Sequence, residues 1–130
     1  MIQINVSKQV NYPISAVKVK KALQLFFKKH GIVSDAEAYV SFVNEAKMKE
    51  LGRKHYKKDS RLHNVFSFVE SEVKGFKNIN PNVINLGEIV VCFPQVVKEA
   101  EKEGKLIEEK VLELIEHSAL HLLGIHHEEQ

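Results

Sequence analysis

The hydrophobic positions of this chain change period several times, and each change marks an element. Ile2, Ile4 and Val6 alternate with Gln3 and Asn5, the period of a half-buried opening strand. Tyr12-Pro13-Ile14-Ser15 makes a turn, with Ser15 placed as the N-cap of a helix. Val19, Leu23, Phe26 and Phe27 then recur at helical spacing with lysines on the other face, until Gly31 stops the helix. Lys28 and Lys29 in its last turn suit the helix dipole. Ala38, Val40 and Phe42 face one way and Tyr39, Ser41 and Val43 the other, which predicts a second strand. Asn44 can cap a short helix through Met48 and Leu51. Val65 to Val69 is rich in β-formers and reads as a third strand. Residues 70–82 are polar and read as a loop. Val83 to Cys92 predicts a fourth strand, interrupted at Gly87 by a bulge or a close backbone approach. Pro94 fits the first turn of a helix ended by Gly104. Val111, Leu112, Ile115 and Leu122 line the apolar side of the last one.

Strands interleaved with helices, without regular βαβ alternation, predict an α+β fold: a single mixed β-sheet of about four strands covered by helices. A doubly wound parallel sheet fits less well, because the third and fourth strands have no helix between them. At 130 residues the expectation is a single domain over 1–130.

Composition narrows the function without choosing it. Hydrophobic content of 44% and charged content of 28% are those of an ordinary globular protein. No apolar run approaches the length of a membrane span; Ile89 to Val97 comes nearest, and Pro94 interrupts it. No basic segment followed by an apolar one opens the chain, so a secretory leader is not expected. Cys92 is alone, which rules out an internal disulfide framework and fits a reducing, cytoplasmic setting. A formal charge of +2 permits a polyanionic partner without demanding one. The most basic segment, Arg53-Lys54-His55-Tyr56-Lys57-Lys58-Asp59-Ser60-Arg61, lacks sustained periodicity and precedes the third strand. Read alone, it is a solvated basic loop.

The chemistry lies in His117-Ser-Ala-Leu-His121-Leu-Leu-Gly124-Ile-His126-His127. His117 and His121 are four apart, so on a helix they stack on one face, and both imidazoles can turn to a single ion. Gly124 can take a left-handed conformation that ends the helix and lets the chain return with a third ligand. His127 fits that place, and the adjacent His126 or the carboxylates of Glu128 and Glu129 can reach in as well. The spacing H-x-x-x-H-x-x-G-x-x-H is that of the metzincin proteases. Ser118, however, stands where those proteases carry their glutamate base. The pattern reads as a three-histidine metal centre with an open coordination position and no built-in carboxylate.

In these motifs the chain resembles the YbeY family of bacterial rRNA-maturation endoribonucleases. That family's helix reads H-G-x-L-H-L-x-G-Y-D-H, and His117 to His127 follow it. Its Tyr-Arg pair in a basic loop corresponds to Tyr56-Lys57, and its Thr-Asp/Asn-Val-Leu-Ser-Phe strand to His63-Asn64-Val65-Phe66-Ser67-Phe68. Its Leu-Gly-Asp-Ile appears as Leu86-Gly87-Glu88-Ile89. The departures are Ser118 for glycine, Ile125-His126 for Tyr-Asp, His63 for threonine, and Lys57 for an arginine with a catalytic role. Lysine keeps the charge but loses the planar two-pronged grip on phosphate.

The resemblance implies a metal-dependent, single-strand-preferring endoribonuclease. Its expected work is rRNA maturation, including 16S rRNA 3′-end processing, and ribosome quality control. It implies one zinc ion per chain on His117, His121 and His127, with Lys57 as the catalytic cation. Lys54, Tyr56, Lys58 and Arg61 would join Lys57 in holding the RNA. Asn64, Ser67 and Glu88 are candidate partners for the ligand imidazoles, which usually need an acceptor behind them. An rRNA precursor and the small ribosomal subunit or its proteins are the expected partners, with no membrane. The alternatives are a metalloprotease-like hydrolase, or a non-catalytic ribosome-binding factor whose metal is structural.

Overall fold

The computed structural model describes residues 1–55, 62–69 and 82–125. The strands are β1 (Ile2–Lys8), β2 (Ala36–Val43), β3 (Val65–Phe68) and β4 (Ile84–Cys92). The helices are α1 (Ala16–Lys29), α2 (Glu45–His55), α3 (Phe93–Glu103) and α4 (Ile107–Leu122). The strands form one mixed sheet in the order β1-β2-β4-β3. β1, β2 and β4 run parallel, and β3 pairs antiparallel to β4 at the far edge. The α+β architecture with a single four-stranded sheet is therefore the one expected from the sequence. The predicted loop over 70–82 lies outside the described residues except for Asn82.

Local signals set the element ends. The Ser15 hydroxyl accepts from the Lys18 N–H (3.2 Å), and the Asn44 side-chain oxygen from the Lys47 N–H (2.8 Å). Each satisfies a donor that the first helical turn leaves open, worth about 1 kcal/mol. Gly104 ends α3 in the left-handed conformation (φ 69°).

Alternation along the strands divides the interior in two. Ala38, Val40, Ile89 and Val91 face α1, α3 and α4, where Leu23, Phe27, Val96, Val111, Ile115 and Leu122 pack on them. On the opposite face Phe66, Phe68, Val90 and Cys92 meet Met48 of α2. Phe68 and Cys92 are core residues, 3% and 0% exposed. Among the described residues no helix is long and apolar enough to cross a membrane.

A cation clasp closes the α3–α4 turn. Lys110 is buried, and its ammonium lies 3.1 Å from Glu103, 3.6 Å from Glu113 and 4.0 Å from Glu99. Lys105 also pairs with Glu113, at 2.6 Å. Hydrogen bonds from Lys110 hold the Glu103 carboxyl below its ordinary range, and those from Lys105 do the same for Glu113. These depressed carboxyls contribute stability above the ordinary carboxylate range, and it is lost as pH falls through their lowered values. Lys110→Ala leaves the carboxylates facing one another, and urea unfolding is expected to show a loss of about 1–2 kcal/mol. A wild-type midpoint would show that the clasp adds nothing.

Candidate metal centre at the end of the last helix

α4 begins with the Leu106 N–H donating to the Glu109 side chain (3.4 Å), and Glu108 and Glu109 in its first turn suit the dipole. Its inner stripe, Val111, Ile115, Ser118, Ala119 and Leu122, is buried against the sheet. The neighbouring stripe carries Lys110, Leu114, His117 and His121 at spacings of four, three and four. The imidazoles of His117 and His121 come together as the spacing requires, with ring centroids 4.9 Å apart and planes inclined by 56°. His121 Nε2 is shielded from solvent. Gly124 has φ 79°, so the helix ends where the sequence predicts. Ser118 is 1% exposed and lies under the helix.

Gly87 fixes how closely this last turn approaches the sheet. Glu37 of β2 pairs with Asn85 and Ala38 with Gly87, so Leu86 is the extra residue of a bulge. Gly87 has φ 128°, and a Cβ there would lie 2.2 Å from the Phe68 carbonyl oxygen and 2.9 Å from Leu122 Cδ2. The missing side chain thus lets β3 and the end of α4 meet across β4. Both readings of Gly87 from the sequence, bulge and close approach, hold at one residue.

The remaining site residues separate into those with described positions and those without. Tyr56, Lys57, Lys58, Arg61 and His127 lie outside the described residues, as do His126, Glu128 and Glu129. Lys54 is exposed in the last turn of α2. Ser67 pairs with Ile89, on the α4 side of the sheet. Asn64, at the start of β3, donates its amide to Glu99 of α3 (2.8 Å). Glu88 alternates with Ile89 onto the α2 side, where its carboxylate accepts from the Ser41 hydroxyl (3.0 Å). Burial, together with the Glu37 and Glu88 carboxylates, pushes the Tyr39 phenol above its ordinary value. The sequence does not single out Glu99 and Lys110; a Lys-Glu pair at the clasp's spacing looks the same as any solvated surface pair.

Two imidazoles on adjacent turns fit a divalent ion. A tetrahedral zinc with bonds near 2.0 Å needs ligand nitrogens about 3.3 Å apart, which rings at this separation can provide by turning. Among the described residues no third His, Cys, Asp or Glu side chain joins them. The other candidate ligands, His126, His127, Glu128 and Glu129, lie outside the described residues.

The chain has relatives among known proteins. The model of the family described as Endoribonuclease YbeY matches residues 2–130. The chain is 32% identical to the Endoribonuclease YbeY of Azoarcus sp. (strain BH72), over 90% of this chain and 51% of that protein. It is 34% identical to that of Xanthomonas euvesicatoria pv. vesicatoria (strain 85-10), over 88% and 69%. The chain thus spans about half to two-thirds of the length of these curated relatives. The solution structure of TM1509 from Thermotoga maritima shares the fold, with a TM-score of 0.59 and 26% identity over 98% of this chain and 76% of that one. With a family match from residue 2 to residue 130, the chain belongs to the YbeY family.

Proposed function

We propose that the chain is a cytoplasmic, zinc-dependent endoribonuclease that cuts single-stranded RNA in rRNA maturation, including the 16S rRNA 3′ end, and in ribosome quality control. The observation that carries this reading is the His117–His121 pair at the end of α4, in a chain that matches the family over nearly its whole length. His117 and His121 would hold the ion, with His127 as the third ligand. When bound, zinc supplies a Lewis acid and lowers the pKa of a coordinated water to about 7.

The chain's own residues would do the rest. In phosphodiester cleavage negative charge builds on the phosphate oxygens, and a fixed cation beside them is worth several kcal/mol. Lys57 is proposed as that cation. Lys54, Lys58 and Arg61 would hold the backbone, and Tyr56 offers a face for a base. As a lysine, Lys57 acts as a point charge, without the bidentate geometry of arginine. The rRNA precursor is the proposed substrate, presented by the small ribosomal subunit or its proteins.

Cleavage of a labelled single-stranded RNA by zinc-loaded protein tests the reading, with and without chelator. Activity should vanish on chelation, and Lys57→Ala should lower kcat by about 100-fold or more, with partial return in Lys57→Arg. Protein that binds one metal per chain and never cuts RNA would leave the reading as a ribosome-binding factor instead. Chelator-sensitive cleavage of protein would revive the protease.

A further inference from the structure

The positive charge of the described structure is concentrated on one helix. α1 carries five lysines and no acidic residue, out of 19 basic and 17 acidic residues in the chain; the remainder holds 14 against 17. Lys18 is engaged by Glu108 at 3.0 Å. Lys20, Lys21, Lys28 and Lys29 are exposed, and among the described residues none of them has an ion-pair partner. Helix stability alone does not ask for this arrangement, since acidic partners at i±4 would strengthen the helix. The buried stripe of Val19, Leu23 and Phe27 leaves Lys21, Lys28 and Lys29 on the outer face around Leu25, which is 54% exposed, while Lys20 flanks the buried stripe on its exposed margin.

The direction of this face matters. The Lys18–Glu108 pair joins the first turns of α1 and α4. α1 returns from the end of β1 to the start of the parallel β2, so it runs against the strands. α4 also runs against β4, because Leu122 in its last turn lies beside Gly87 near the start of that strand. Both helices therefore finish at the same end of the sheet, where His117 and His121 sit. There the lysine face opens into a cleft of about 470 Å³ lined by Ile2, Gln24, Lys28, Ile32 and Val33.

We propose that Lys20, Lys21, Lys28 and Lys29 form a track for the phosphate backbone of RNA flanking the cut, ending at a cleft where an unstacked base can rest. This deepens the endoribonuclease reading and rests on it. From Lys20 to Lys29 the track is about 13 Å long. Lysines on a helix face neutralise phosphates without reading bases, which suits a substrate held independently of its sequence. Exposed apolar surface beside a cation is what a splayed base finds in single-strand binding grooves.

The test needs no cleavage. Binding of a labelled 20-nucleotide single-stranded RNA to the full chain is measured by fluorescence anisotropy, in chelator, across a salt series. The variant changes Lys20, Lys21, Lys28 and Lys29 to Gln, and a companion changes all four to Arg. The Gln variant should bind more than about tenfold more weakly at low salt, with a salt slope shallower by about 3. The Arg variant should bind as the wild type does. With zinc, the Gln variant should lose cleavage of long RNA through KM, with kcat retained. Equal affinity and slope in wild type and Gln variant, or no RNA binding by wild type, overturns the track. Anionic phosphatidylserine vesicles captured only by wild type, with RNA affinity unchanged, would assign the face to a lipid surface and also overturn it. Lysine-dependent binding without any cleavage would keep the track while removing the nuclease reading.

Discussion

Replacing His121 with alanine is expected to abolish stoichiometric zinc binding and to lower RNA cleavage by more than about 100-fold, with the sheet intact. Changes to mere supporting groups of a metal site cost 10- to 100-fold, and a ligand should cost more. The imidazole lies beside His117 at 4.9 Å between ring centroids, so its loss leaves at most one nitrogen donor on this part of the helix. Folding should tolerate the change. The apolar stripe that seats α4 runs through Val111, Ile115, Ala119 and Leu122, and His121 is not part of it. Unfolding should move by about 1 kcal/mol or less. Metal content by mass spectrometry under native conditions, the urea midpoint and RNA cleavage together decide the matter. A folded His121→Ala chain that keeps one zinc and cuts RNA would remove the pair from the site.

Gly87→Ala carries the largest expected loss of stability, at least about 3 kcal/mol. Two costs coincide there. A backbone at φ 128° is one that L side chains rarely adopt, and the new methyl would sit 2.2 Å from a backbone oxygen of β3. The Phe68 carbonyl cannot swing away as a flexible side-chain tip could. Relief requires β3 to move off β4, since the Leu122 methyl can rotate away but the Phe68 carbonyl and the Val69 Cα belong to the backbone. α4 packs on β3 as well as on β4, so zinc affinity should fall along with the urea midpoint. A soluble Gly87→Ala protein with the wild-type midpoint would show that the bulge relaxes freely.

Much of the fold is legible where a residue acts on its own neighbours. Ser15, Asn44 and Gly104 do in the structure what their side chains or lack of one require locally, and the spacing of His117 and His121 becomes proximity as soon as a helix forms. Gly87 is readable because an apolar strand has little other use for glycine. The features that escape such a reading depend on distant partners. Nothing in Val65–Phe68 or Ile84–Cys92 announces that β4 enters between β2 and β3 and runs parallel to one and antiparallel to the other. Asn64 and Glu88 look, in the sequence, like partners for imidazoles. In the structure the Asn64 amide goes to Glu99 and the Glu88 carboxylate receives Ser41, pairings set by strand order and pleat rather than by sequence distance. The uneven charge of α1 is in plain view along the chain, but it acquires meaning only because α4 finishes at the same end of the molecule.

The strand order also has a consequence for the newborn chain. β2 occupies Ala36–Val43, yet the neighbour that covers its second edge does not begin until Ile84. A ribosome must therefore add some forty residues while an apolar strand shows a bare row of amides and carbonyls, an open template for pairing with another chain. Slower translation through residues 44–83 should lengthen that exposure and raise aggregation during synthesis, even for a sequence whose finished form is stable.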